Sequence, residues 1–180
     1  MASAKLHIKK ELRGPILDLG GGGEGVIGRI YGRQAVAIDS RQDELDEAPD
    51  GPQKFLMDAT ELTFANCSFQ HVTTFFTLMY MSRAVQAQAI TQAARVLSPG
   101  GSLQIWDAQI ASAYPEPFLI DVDIDAAGTA VHTTYGILKE DAAQDSQRML
   151  QLCQAAGLEL AAREDHDGWF YLRFLKKLCQ

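Results

Sequence analysis

The sequence has little positive charge. Its 180 residues include 16 lysines and arginines against 23 aspartates and glutamates, which gives a net charge of -7. A protein that follows a phosphate backbone or lies on an anionic membrane needs a basic surface. The charge balance therefore disfavours nucleic acid and anionic membranes as partners.

Cysteines and long apolar runs are also scarce. The three cysteines, Cys67, Cys153 and Cys179, are far apart and form no C-x-x-C pair. An odd count without metal-ligand spacing predicts reduced thiols and no metal site, with Cys153 in the core. No stretch reaches the roughly 18 apolar residues of a membrane span, and the first residues lack the apolar core of a signal peptide. We therefore expect a cytoplasmic protein.

Strand-like and helical segments alternate through the first two thirds of the chain. The predicted strands are "PILDL", "QAVAI", "KFLM", "HVTTFF" and "SLQIW". A helix is predicted from Ser82 to Leu97, where apolar residues recur at helical spacing before "SPGG". Alternation of this kind predicts a parallel sheet with right-handed crossovers in an α/β protein, here one domain over residues 1–180.

The carboxyl-terminal third has a different pattern. "FLIDVDID" alternates apolar residues with aspartates, and "AVHTTYGIL" alternates back after "AAGT", which predicts a β-hairpin over about 118–138. A helix from about Asp141 to Ala156 and two further strands joined by "DHDG" follow. The three hairpin aspartates are predicted to face solvent, with recognition of a cationic acceptor as the alternative.

A glycine-rich stretch follows the first predicted strand. Gly20, Gly22 and Gly25 form G-x-G-x-x-G, which allows a tight turn, close approach of a ligand to the backbone, and helix packing. Alternatively, the glycines only connect two elements. Asp39 ends the next strand, where a carboxylate can accept both ribose hydroxyls, so the pattern favours a nucleoside-containing cofactor.

Asp18 distinguishes between the cofactors. It lies two residues before Gly20, where it would repel the pyrophosphate of NAD but attract the α-ammonium group of S-adenosylmethionine. The acidic residue therefore favours S-adenosylmethionine.

Five motifs resemble those of class I S-adenosylmethionine-dependent methyltransferases. In order they are "ILDLGGGGEG", "AIDS", "MDATEL", "FQHVTTFFTLMYM" and "AARVLSPGGSLQI", from about Pro15 to Trp106. The resemblance implies a doubly wound, Rossmann-like sheet of seven mostly parallel strands with an antiparallel last strand. We expect the hairpin to be an insertion after the fifth strand, which either extends this sheet or covers the site.

The resemblance also implies a cofactor site. Asp18 and the backbone of Gly20, Gly21 and Gly22 would hold the amino-acid end of the cofactor, and Asp39 the ribose. The remaining implied contacts are Ser40 or Arg41 over the adenine, Asp58 and Ala59 at the adenine edge, and the backbone of Phe75 and Phe76 near the amino acid or methyl group. Asp58 could instead begin a turn, and either phenylalanine could belong to the core.

One departure from the family pattern concerns Glu24. The family loop usually reads G-x-G-x-G, but here Glu24 takes the third position and the glycine follows at Gly25. We predict that this carboxylate favours the start of the following helix, with a ligand contact as the alternative.

Methyl transfer requires no catalytic side chain, because the sulfonium leaving group becomes neutral. Tyr80 is the best candidate for orienting an acceptor, and Asp107 is a second candidate as orienting group or base. His132 and Tyr135 lie in the hairpin and are weaker candidates. No Asn-Pro-Pro-Tyr-like tetrapeptide follows the fourth strand, which disfavours adenine and glutamine amides as acceptors.

We therefore predict an S-adenosylmethionine-dependent methyltransferase that acts on a small molecule and releases S-adenosylhomocysteine, as a monomer or homodimer. A protein acceptor is a further alternative. Two other functions stay open, namely a non-catalytic subunit or sensor that binds the cofactor and, less favoured, an NAD-binding oxidoreductase.

Overall fold

A computed structural model describes residues 2–111 and 114–178, so Cys179 lies outside the described residues. These residues form ten strands and four α-helices. The strands are β1 (Ala2–Ile8), β2 (Ile16–Leu19), β3 (Ala35–Asp39), β4 (Gln53–Leu56), β5 (Phe69–Phe75), β6 (Leu97–Ala108), β7 (Phe118–Ala126), β8 (Thr129–Ile137), β9 (Leu158–Asp165) and β10 (Trp169–Lys176). The helices are α1 (Val26–Tyr31), α2 (Gln42–Glu47), α3 (Arg83–Val96) and α4 (Ser146–Ala155).

A central sheet has the strand order β4-β3-β2-β5-β6-β10-β9. The neighbours from β4 to β6 pair in parallel, whereas β10 runs antiparallel to both β6 and β9. The predicted α/β fold with a mostly parallel sheet is confirmed, and the sheet is mixed because of β10. The carboxyl ends of β2, β3 and β5 meet at one edge, where such sheets bind ligands.

The hairpin of β7 and β8 does not extend the central sheet. It forms a separate three-stranded sheet in which β1 pairs in parallel with β7, from Ala2 opposite Ile120 to Ile8 opposite Ala126. No strand is predicted before "PILDL", so β1 is an element that the sequence patterns miss. Ala4, Leu6 and Ile8 alternate with exposed residues and face the core, which is the pattern of a half-buried strand.

Two hydrophobic clusters cover the two faces of the central sheet. On one face, α3 and α4 contribute Ile90, Met149 and the buried Cys153. On the other, α1 and the three-stranded sheet contribute apolar residues such as Ile27 and Ile120. No helix within the described part of the chain is long and apolar enough to cross a membrane.

The hairpin aspartates lie on the outer face of the three-stranded sheet. Asp121 accepts a hydrogen bond from the Thr134 hydroxyl at 2.6 Å, Asp123 contacts His132 Nδ1 at 2.8 Å, and Asp125 contacts His7 Nδ1 at 2.8 Å. These cross-strand contacts occupy the aspartates at the surface and hold His132 away from the edge where ligands bind.

Candidate active site

A cavity of about 500 Å³ lies at the carboxyl ends of β2, β3 and β5. All of the residues predicted for the cofactor line it, together with Tyr80. They are Asp18, Gly20, Gly21, Gly22, Asp39, Ser40, Arg41, Asp58, Ala59, Phe75 and Phe76. Asp107 is not among its lining residues. The parallel strands bring these positions together because their carboxyl ends share one edge of the sheet.

The glycine loop begins with a turn that only glycine tolerates. Gly20 has φ +69°, and a β-carbon there would lie 2.3 Å from the Thr77 Cγ2 atom. The N–H groups of Gly21 and Gly23 donate to the carbonyls of Ile38 and Glu44, at 3.0 and 2.8 Å. Those of Gly20 and Gly22 donate to none of the described residues. The loop therefore offers two free donors to an anionic or carbonyl group.

Asp18 is a buried carboxyl group on β2, 2% exposed. Its Oδ1 atom accepts a hydrogen bond from the Thr73 hydroxyl at 2.7 Å, and no cationic side chain of the described residues pairs with it. The pKa of Asp18 is raised to about 7, mainly because the group is buried. The hydrogen bond from Thr73 acts to lower this pKa, and the nearby charge of Asp39 acts to raise it. The site therefore lacks the positive charge that would keep this carboxylate ionised.

Asp39 ends β3 and faces the same cavity. Its Oδ1 atom accepts the Arg41 N–H at 3.0 Å, which leaves the second carboxylate oxygen without a partner among the described residues. The Arg41 guanidinium turns toward α2, where it contacts Asp43 and lies 3.5 Å from Glu44. Arg41 therefore borders the cavity beside Ser40 with its charge directed to α2.

Asp58 both begins a turn and lines the cavity. Its Oδ1 atom accepts the Thr60 N–H at 2.8 Å and the Thr60 hydroxyl at 2.7 Å, and these bonds lower the Asp58 pKa. The turn uses one oxygen only. The Ala59 N–H donates to none of the described residues, so this loop presents a free acceptor and a free donor side by side.

Phe76 carries backbone strain at the end of β5. Its φ is +47°, a left-handed conformation that bulky side chains rarely adopt, and its N–H donates to the Trp106 carbonyl at 2.8 Å. Its ring stacks on Tyr135 with centroids 4.7 Å apart, and Phe75 packs edge-on against it at 5.1 Å. Strain of this kind is concentrated at functional sites.

Glu24 joins the glycine loop to the hairpin. The Thr133 hydroxyl donates to its Oε1 atom, and the Tyr135 hydroxyl donates to Oε2 at 3.3 Å. The carboxylate does not cap α1, which begins after the left-handed Gly25 without a side-chain hydrogen bond. The prediction of a helix-terminal role is therefore wrong. The Glu24 side chain faces the cavity and holds β8 over it.

Tyr80 stands at the mouth of the cavity and is 50% exposed. Its hydroxyl oxygen accepts the Gly136 N–H of β8 at 3.4 Å, while its own proton goes to no acceptor among the described residues. Partial burial raises its pKa, so the group is a phenol near neutral pH. Tyr80 can therefore donate a hydrogen bond to a ligand in the cavity.

Asp107 is fully buried behind the cavity wall. Its Oδ2 atom accepts the Leu78 N–H at 2.8 Å, and its Oδ1 atom accepts from the Ala108 N–H and the Gln144 amide, at 2.8 and 2.7 Å. Burial raises the pKa of Asp107 to about 6, although these hydrogen bonds act to lower it. With both oxygens occupied, Asp107 holds the turn Leu78–Tyr80 in place and cannot touch a ligand in this cavity.

Comparison with known proteins agrees with this architecture. A family model described as "Methyltransferase domain" matches residues 17–105, from β2 into β6. No curated protein sequence is similar enough to the chain to count as a relative.

Several solved structures share the fold at low sequence identity. A methyltransferase described as S-adenosylmethionine-dependent, from Methanosarcina mazei, is 15% identical with a TM-score of 0.63 over 93% of this chain and 95% of its own. The 4+2 cyclase SpnF is 17% identical with a TM-score of 0.66 over 93% and 77%. A chain from the complex of the Trm112 methyltransferase activator with a methyltransferase from Haloferax volcanii is 15% identical, with a TM-score of 0.65 over 94% and 85%. At these identities the likeness shows the fold.

Proposed function

The chain belongs to the class I S-adenosylmethionine-dependent methyltransferases, and on that premise we propose that it transfers the cofactor's methyl group to a small-molecule acceptor. The observation that carries the proposal is the cavity at the carboxyl ends of β2, β3 and β5, which is lined by every residue that the family motifs assign to the cofactor. S-Adenosylmethionine is the cofactor of this family.

The free polar groups of the cavity fit that cofactor. Asp18, buried without a cation, would hold the α-ammonium group, and the free N–H groups of Gly20 and Gly22 would bind the carboxylate. The free oxygen of Asp39 would accept from the ribose hydroxyls. The exocyclic amine of adenine would donate to Asp58, and Ala59 N–H would donate to a ring nitrogen.

The remaining lining residues would position the acceptor. Bound S-adenosylmethionine supplies an electrophilic methyl carbon, and S-adenosylhomocysteine is left after transfer. Phe76 and Tyr135 form an aromatic wall that excludes water, and the Tyr80 hydroxyl would donate a hydrogen bond that orients the acceptor. Because Asp107 lies outside the cavity, we assign it a positioning role through Leu78 and no role as a base.

A small molecule fits this site better than a large one, because the hairpin covers the cavity through Glu24 and Tyr80. The acceptor itself stays a proposal, as do the cytoplasmic location and the oligomeric state. A protein acceptor or partner is the alternative, supported by the neighbour solved with an activator.

A non-catalytic role that uses the bound cofactor is the second candidate function. It stays open because the fold by itself does not imply methyl transfer, as the structural similarity to a cyclase illustrates. An NAD-dependent oxidoreductase is disfavoured, because the buried Asp18 would repel a pyrophosphate in the glycine loop.

Calorimetric titration with S-adenosylmethionine, S-adenosylhomocysteine and NAD tests the cofactor site. We expect micromolar binding of the first two, weakened about tenfold or more by Asp39→Ala, which removes the ribose acceptor. Asp50→Ala is the matched control, because Asp50 is exposed and does not line the cavity. Binding of NAD alone would contradict the proposal.

A screen of acceptors then separates methyl transfer from a binding role. The release of S-adenosylhomocysteine would be measured for neutral and amine acceptors, with Tyr80→Phe as the variant that keeps the ring but removes the hydroxyl. Tight cofactor binding without release of product from any acceptor would favour the non-catalytic role.

A further inference from the structure

A second cavity, of about 690 Å³, lies beside the candidate active site. Its floor is the face of β6 and β10 that carries Trp106, and its wall is β1 with the residues that follow it. Trp106 contacts Phe75 of the first cavity, with ring centroids 6.0 Å apart. The two cavities are therefore separate but adjacent.

The floor consists of two rows of residues paired across β6 and β10. Trp106 and Tyr171 are direct partners, with ring centroids 4.9 Å apart at 34°. Gln104 and Arg173 are the next pair on the same face. Because side chains on one face recur every second residue, the aromatic row and the polar row are about 7 Å apart.

The polar row presents hydrogen-bond donors that have no acceptor. Gln104 is only 7% exposed, and its Oε1 atom accepts the Tyr171 hydroxyl at 3.0 Å. Its Nε2 group donates to none of the described residues, and neither does the Arg173 guanidinium. The Gln104 amide nitrogen and the Arg173 guanidinium are therefore free to donate to a ligand with acceptor oxygens.

The charges around the cavity favour an anion. Lys5 and Lys9 on the wall form no ion pair with the described residues. Two acidic side chains, Glu11 and Glu164, also line the cavity. With Arg173, three cationic side chains therefore line the cavity against these two carboxylates.

We propose that this cavity binds a small aromatic acid, independently of the methyltransferase reaction. The ring of the ligand packs on Trp106 and Tyr171, where both rings offer an apolar face. Its carboxylate or phosphate group accepts from Gln104 and Arg173. An aromatic ring separated from its acid group by a short linker matches the spacing of the two rows.

The tryptophans of the chain give a direct measurement. The sequence has two, Trp106 and Trp169, and both line this cavity, so quenching of tryptophan emission reports on its occupancy. Three probes share one quenching nitrophenyl ring and differ in charge: (4-nitrophenyl)acetic acid as its anion, 2-(4-nitrophenyl)acetamide and 2-(4-nitrophenyl)ethylamine as its cation. Each is titrated with S-adenosylhomocysteine present at saturation, to occupy the first cavity.

We expect saturable quenching with affinity for the anion about tenfold above the amide and higher still above the amine. Arg173→Gln should weaken the anion about tenfold, and Gln104→Leu about fivefold. Arg83→Gln is the control, an exposed arginine that does not line the cavity.

Three results would overturn the proposal. They are equal affinity for the three probes, absence of saturable quenching, and an anion affinity that neither Arg173→Gln nor Gln104→Leu changes. Arg173 is exposed, so its variant should fold even if the Gln104 variant does not.

Discussion

Replacing Asp18 by asparagine should stabilise the free protein while removing cofactor binding. The pKa of this buried carboxyl group rises from 3.8 to about 7 on folding. The folded protein therefore holds the proton to higher pH than the unfolded chain. As a consequence, the free energy of unfolding falls as the pH rises from about 4 to about 7, and it levels off above that range.

The size of the effect follows from the shift. About three pKa units at about 1.4 kcal/mol each set an upper limit of about 4 kcal/mol. Asparagine keeps the acceptor for the Thr73 hydroxyl at 2.7 Å but adds an amide donor without a partner. Burying that unpaired donor costs about 1–3 kcal/mol of the stability that the substitution would otherwise gain. We therefore expect the free energy of unfolding to rise by about 1–3 kcal/mol at pH 8.

Urea unfolding of both proteins at pH 4.5 and pH 8 measures this difference, with Asp50→Asn as an exposed control. We expect the gain at pH 8 and little or none at pH 4.5, because most of the wild-type penalty develops between these values. Calorimetry should show S-adenosylmethionine binding weakened about 100-fold, since its ammonium group loses a buried anionic partner.

Two outcomes would refute this reasoning. A gain as large at pH 4.5 as at pH 8 would mean that ionisation of Asp18 is not the source of the instability. Unchanged affinity for S-adenosylmethionine would mean that Asp18 does not hold the ammonium group.

Two further predictions concern the loop and the hairpin. Gly20→Ala and Gly32→Ala both place a side chain at positive φ, which costs about 1–3 kcal/mol, but only Gly20 faces an obstructing Thr77. The free energy of unfolding should therefore fall further for Gly20→Ala than for Gly32→Ala. Calorimetry should show a loss of cofactor binding in the Gly20 variant alone. Equal effects of the two substitutions would contradict the close contact with Thr77. Glu24→Ala removes both hydroxyl contacts to β8, so hydrogen exchange over 129–137 should rise about tenfold, whereas Glu24→Gln, which keeps an acceptor, should change it less. Unchanged exchange would mean that other contacts hold the hairpin.

The active-site cavity can be predicted from the sequence because each motif that forms it is a short, continuous stretch of the chain. Each motif places a polar or glycine residue directly after a strand, and parallel strands bring those positions to one edge regardless of the loops between them. Asp18, Asp39 and Asp58 are thus assigned to one cavity without knowledge of any contact between them.

The parts that could not be predicted depend on contacts between distant segments. Residues 2–8 pair with 120–126, and neither segment carries a signal for a partner so far along the chain. The role of Glu24 follows from the same packing, since Thr133 and Tyr135 reach it only because the hairpin folds over the glycine loop. The alternation of Ala4, Leu6 and Ile8 was the one available signal for β1.

The two cavities differ in charge, and this difference constrains their ligands. Five carboxylates line the active-site cavity, with the single guanidinium of Arg41, which is already engaged by α2. The cationic cofactor would neutralise part of this negative charge. The negative charge that is left disfavours an anionic acceptor. Cationic side chains without an ion pair among the described residues instead line the second cavity, which is separated from the first by Phe75 and Trp106. We therefore expect the methyl acceptor and the aromatic acid to be different molecules.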